Sequence, residues 1–81
     1  MSNETIERYY VISDGGSLTG FPQIHDCEEW IAVELSIASH DLSRYQADSR
    51  VLGLTTYGAW EKDGKFRQIV NAHEYRRKYG I

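Results

Sequence analysis

Residues 26–45, DCEEWIAVELSIASHDLSRY, decide how the rest of the chain packs. Cys27, Ile31, Leu35, Ala38, Leu42 and Tyr45 recur at steps of three and four, so on a helix they line one face, which Trp30, Val33 and Ile37 widen. Asp26 followed by Glu29 has the form of a capping box, a short acceptor for the first free amides and a longer acid that reaches back. Glu28, Glu29, Ser36, Ser39 and His40 take the other side. Acids in a first turn complement the positive end of the helix dipole, so Glu28 and Glu29 have a structural reason to be there. Ser39, His40 and Asp41 are weak helix formers, and the helix is expected to loosen at them.

Working outward, residues 6–13, IERYYVIS, carry β-branched and aromatic side chains on both alternating faces, which predicts a strand covered on both sides, or on one side with a partner on the other. Asp14, Gly15 and Gly16 end it, because paired glycines permit a tight turn. In residues 18–21, LTGF, a short return strand is weakened by Gly20 and Pro22. The spacing from Gly15 to Gly20 is that of a phosphate loop, but Phe21 and Pro22 stand where that chemistry needs Lys and a hydroxyl.

Residues 46–50 form a polar connection, and residues 51–61 and 65–70 form a hairpin about Asp63 and Gly64. A two-residue turn would set Trp60 opposite Arg67. A three-residue loop over residues 62–64 pairs Glu61 with Lys65 and Trp60 with Phe66. The longer loop is expected, because it gathers Leu52, Leu54, Trp60, Phe66 and Val70 on one face and leaves Glu61, Lys65, Arg67 and Tyr57 on the other. Gly53 and Gly58 suggest a bend or a close approach by another element. Asn71 with Glu74 repeats the capping pattern and opens a short helix over residues 72–79, with Arg76, Arg77 and Lys78 in its last turn and Gly80 as its stop. The expected fold is α+β: a small three- to four-stranded, mainly antiparallel sheet with one long helix packed on one face and a short C-terminal helix. The other face, with Tyr57 and Tyr9 or Tyr10, is expected to be open to a partner.

At 81 residues, 41% hydrophobic with one proline, residues 1–81 are expected to form a single compact domain. No apolar run approaches the ~18 residues of a membrane span, and SNETIERYY lacks the apolar core of a secretory leader. A lone Cys27 makes no internal disulfide, which suits a reducing cytoplasm.

Charge divides unevenly along the chain. Residues 1–42 hold eight acids against one base, a net −7, and residues 43–81 hold eight bases against four acids, a net +4. The plainest explanation is that the halves neutralise one another on folding.

Catalytic chemistry finds little support. Cys27 near a helix N-terminus with His25 beside it has a nucleophile's setting, but Asp26, Glu28 and Glu29 oppose a thiolate and Cys27 falls on the apolar stripe. Ser39, His40 and Asp41 are consecutive and point apart. His25 and Cys27 find no second pair to complete a metal site. The chain is therefore not expected to be an enzyme, nor to carry a metal or cofactor.

Two binding readings remain. In the first, Glu28, Glu29, Glu34 and Asp41 form an acidic helix face that docks on a basic surface of a protein partner, with tyrosines and tryptophans as anchors; a homodimer is one version. In the second, Lys62, Lys65, Arg67, Arg76, Arg77 and Lys78, interleaved with Tyr57, Tyr75 and Tyr79, contact nucleic acid. A pI near 5.5 weighs against the second, because phosphate affinity needs a positive footprint. In size and acidity the chain resembles small phage or mobile-element proteins such as the anti-CRISPR inhibitors, on no specific residues. That resemblance implies an inhibitor occupying a nucleic-acid-binding surface.

Overall fold

The computed structural model describes residues 6–81. Strands β1 (Tyr9–Ser13), β2 (Leu18–Phe21), β3 (Thr56–Lys62) and β4 (Lys65–Asn71) form one antiparallel sheet in the order β2-β1-β4-β3. Two α-helices, α1 (Ile24–Glu34) and α2 (Ala72–Tyr79), accompany it. The fold is α+β, as the element pattern predicts. Residues 18–21 do return as a strand. They do so at the sheet edge, where a glycine costs little and the adjoining Pro22 interrupts no ladder.

The core lies between α1 and one sheet face, where Cys27, Ile31, Ala32 and Leu35 meet Val11, Trp60 and Ile69. Each fully buried aliphatic side chain there contributes about 1.5–3 kcal/mol by leaving water. The helix is shorter than its apolar stripe. It starts before Asp26, which lies in the first turn and caps nothing; the N-cap is Gln23, without a side-chain bond. It stops after Glu34 in a Schellman turn, in which Ser36 N–H donates to Val33 O and Ile37 N–H to Ala32 O, with Ser36 left-handed at φ 58°. The stripe continues because the chain folds back as a 3-10 helix, Ser39–Tyr45, that buries Leu42 in the same core. Val33 and Ala38 leave it and are exposed, Val33 at 76%. A left-handed non-glycine residue costs about 1 kcal/mol. Part of the gain from removing it is lost to the greater freedom of an unfolded glycine. Ser36→Gly is therefore expected to stabilise the protein by roughly 0.5 kcal/mol. The check is a higher urea midpoint at unchanged slope.

The hairpin closes with the two-residue turn, not the three-residue loop expected from its apolar pattern. Asp63 and Gly64 form a two-residue turn with φ 53° and 81°, and Lys62 faces Lys65, Glu61 faces Phe66 and Trp60 faces Arg67. An Asp-Gly pair accepts positive φ at both positions, the geometry whose twist matches the strands. Trp60 therefore shares the α1 face with Arg67, and Phe66 and Val70 lie on the opposite face. That face is not open. Residues 50–55 and α2 cover it: the Arg50 guanidinium lies 4.1 Å over the Phe66 ring, and Tyr75 meets Tyr10 edge-on at 5.5 Å. Tyr9 and Tyr57 pack together on the core side, with centroids 5.1 Å apart. Leu52, expected inside, is 70% exposed, because residues 51–55 are loop and β3 begins only at Thr56.

Gln68 holds that loop. Wholly buried in central β4, it accepts from Arg50 N–H (3.0 Å) and Val51 N–H (3.1 Å), and its amide donates to Val51 O (2.9 Å) and Thr56 Oγ1 (3.1 Å). Asn71 caps α2 by accepting from Glu74 N–H at 2.9 Å, as the capping pattern predicts. The Glu74 carboxylate, however, reaches Thr55 N–H (2.7 Å) and Oγ1 (2.9 Å), and these bonds hold it below the usual range.

Candidate functional site

Successive residues of a helix point about 100° apart, so Glu28, Glu29 and Glu34 cannot share a face of α1. Glu29 lies outward, 2.9 Å from His25 Nε2. Glu34 lies on the flank toward the sheet and bonds Arg67 Nη2 at 3.0 Å. Glu28 lies on the other flank, half-buried beside β3. Asp41 belongs to the 3-10 helix and stands 3.7 Å from Arg44. The structure thus disperses the four acids. The acidic character of the outer side of α1 comes from Asp26 and Glu29, with the exposed Val33 near them, and Asp26 was not among the expected site residues.

The six bases divide as well. Arg67, 8% exposed, is a core group: it bonds Asp14 (3.3 Å), Glu34 and its neighbour's carbonyl, Phe66 O (2.7 Å), and only its Nε lacks a partner. That removes it from any nucleic-acid face. Lys62 and Lys65 flank the hairpin turn, and Arg76, Arg77 and Lys78 ride on α2 at the other end of β4, about 20 Å away at the usual rise per residue. Within α2, Tyr75 and Tyr79 lie 4.5 Å apart, Arg76 donates to Tyr10 Oη, and Lys78 donates to Leu52 O.

Folding neutralises part of the division of charge. Asp14 and Glu34 pair with Arg50 and Arg67 across the two halves. Among the described residues, Asp26, Glu28 and Glu29 have no Lys or Arg within ion-pair distance. The sequence could not separate them from Asp14 and Glu34, because all five are acids at positions compatible with a surface.

Beside Glu28, α1 and β3 enclose a groove of about 500 Å³ with Gln46, Ser49, Tyr57, Gly58 and Trp60 among its walls. Glu28 is the charged member of the lining. The groove exists because residues 46–47 ladder onto β3 only as far as Ala59 O, which accepts from Ala47 N–H at 2.9 Å.

Among the described residues no three His, Cys, Asp or Glu side chains gather where a metal could be held, and no helix is long and apolar enough to cross a membrane. Cys27 is fully buried, and burial with Asp26 beside it pushes the thiol up to about 12. At pH 8 almost no thiolate exists, so iodoacetamide is expected to leave native Cys27 unmodified and to alkylate it only in denaturant. Intact-mass spectrometry reads both. Comparison with protein-family models, with curated proteins and with solved structures finds no match for this chain.

Proposed function

We propose that the protein is a binding module for another protein whose contact surface is basic, and that it docks through the first turns of α1, which carry Asp26, Glu28 and Glu29. One observation carries the reading: these three carboxylates are left without an Arg or Lys partner among the described residues, whereas Asp14 and Glu34 are consumed inside the fold. Unpaired carboxylates raise the encounter rate with a positive surface, and the apolar contact that holds a complex comes from neighbours such as the exposed Val33. An inhibitor is the form this suits best, because carboxylates can take the places of phosphates on a nucleic-acid-binding surface. A reducing cytoplasm fits a chain with one free thiol.

Asp26→Lys with Glu29→Lys is expected to abolish partner capture from a lysate of the source organism, with circular dichroism unchanged. Capture that survives the reversal would remove the reading. The adjoining Tyr75 and Tyr79 rings, on the same short helix as Arg77 and Lys78, favour a second reading, nucleic-acid binding through α2. It predicts a salt-dependent gel shift lost in Arg77→Ala/Lys78→Ala.

A further inference from the structure

We infer that the groove between α1 and β3 receives an arginine side chain of the partner, a step that rests on the protein-binding reading and names the group recognised. Three features of the groove point there. Its lining carries one charge, the Glu28 carboxylate, with neither Lys nor Arg beside it. Its β3 wall includes the half-buried Tyr57 and the buried Trp60, and Gly58 between them adds no side chain of its own. Its volume, about 500 Å³, admits a guanidinium and its stem but not a folded element.

The same chemistry is already built once inside the molecule. Arg50 lies 4.1 Å over the Phe66 ring while its Nη2 bonds Glu61 Oε2 at 2.8 Å, so a carboxylate and an aromatic ring together hold one guanidinium. The groove has a carboxylate and aromatic residues in its lining without the cation. Arginine fits better than lysine, because a planar guanidinium can stack on a ring and still send paired N–H groups to a carboxylate, whereas an ammonium is a more strongly hydrated point charge. Two other clefts among the described residues do not offer this. The one beside α2 holds Arg77 and Lys78 with Glu74, whose carboxylate Thr55 already occupies, and the one beside β1 holds Arg8 and Arg76.

The test is a titration of the full chain, labelled with nitrogen-15, with Nα-acetyl-arginine amide, followed by amide and indole NMR shifts. Saturable shifts are expected at Tyr57, Gly58 and the Trp60 indole. Nα-acetyl-citrulline amide, a neutral near-isostere, should produce none, and Glu28→Gln should weaken binding by about tenfold while its spectrum stays that of the native fold. The lysine amide should bind more weakly than the arginine amide. The proposal is overturned by the absence of saturable shifts, by equal response to citrulline, or by shifts confined to Asp26 and Glu29. If the groove fails while Asp26→Lys/Glu29→Lys still abolishes capture, the arginine pocket falls and the protein-binding reading stands. If arginine binds and capture ignores the reversal, docking through Asp26 and Glu29 falls and the arginine pocket stands.

Discussion

Gln68→Leu is expected to cost about 3 kcal/mol, although it replaces a wholly buried polar side chain with an apolar one of similar volume. A buried amide is normally a liability, but this one has no unmet bond. It satisfies two backbone N–H groups, a carbonyl and a hydroxyl, three of the four lying on residues 50–51. Leucine would leave these groups facing apolar surface, each at about 1 kcal/mol or more, until the loop lifts and water takes over. Arg50 would leave Phe66 with it, exposing that ring. A chain of this length is held by roughly 4–12 kcal/mol in total, so the loss is a large share of it. Thermal unfolding is expected near 15 °C lower. Hydrogen exchange distinguishes the mechanism from general core damage: the Arg50 and Val51 amides should exchange fast in the variant under conditions where Val11 and Ile69 remain protected. A midpoint within about 0.5 kcal/mol of the parent would show that the loop holds its place without Gln68.

That network also shows why part of the fold was legible and part was not. Periodicity located the core: Cys27, Ile31, Leu35 and Leu42 are buried together, and Asn71 and Gly80 bound the last helix as their residue types require. Periodicity could not show where the helix gives way to the 3-10 segment, because a stripe with steps of three and four reads alike across both, and Ser36 offers no glycine to mark the turn. The hairpin register was missed for a different reason. Gathering large side chains on one face identifies a register only when one face is buried, and β4 is buried on both from Phe66 to Val70. Under those conditions turn chemistry is the stronger signal, and Asp63-Gly64 carried it. The site was less legible still. Which acids are free depends on Arg50 and Arg67 reaching back from the second half of the chain to Asp14 and Glu34, and no local pattern encodes that. The groove beside Glu28 comes from a ladder that stops at Ala59, a three-dimensional event without a sequence signature.

Gly58→Ala is expected to be the most damaging single methyl in the protein, at about 3–4 kcal/mol. Two costs act at once. The backbone there has φ 143°, a conformation side-chain-bearing residues rarely adopt, where β3 bulges and its register with β4 shifts between Thr56 and Gly58. A Cβ would also enter the Trp60 ring, 2.7 Å from Cζ2. Trp60 cannot give way cheaply, because it is buried in the core and its backbone is bridged to Gln46. The two costs are separable. Gly64 also has positive φ, 81°, but a Cβ there meets nothing within 4 Å, so Gly64→Ala reports backbone strain alone and is expected to cost about 1 kcal/mol. Trp60→Leu, itself costly, removes the obstructing ring. In that background Gly58→Ala should lose only the strain component, a coupling of about 2 kcal/mol between the two sites in a double-mutant cycle. Strict additivity would mean that the strained bulge, not the indole packed against it, is what requires glycine at this position.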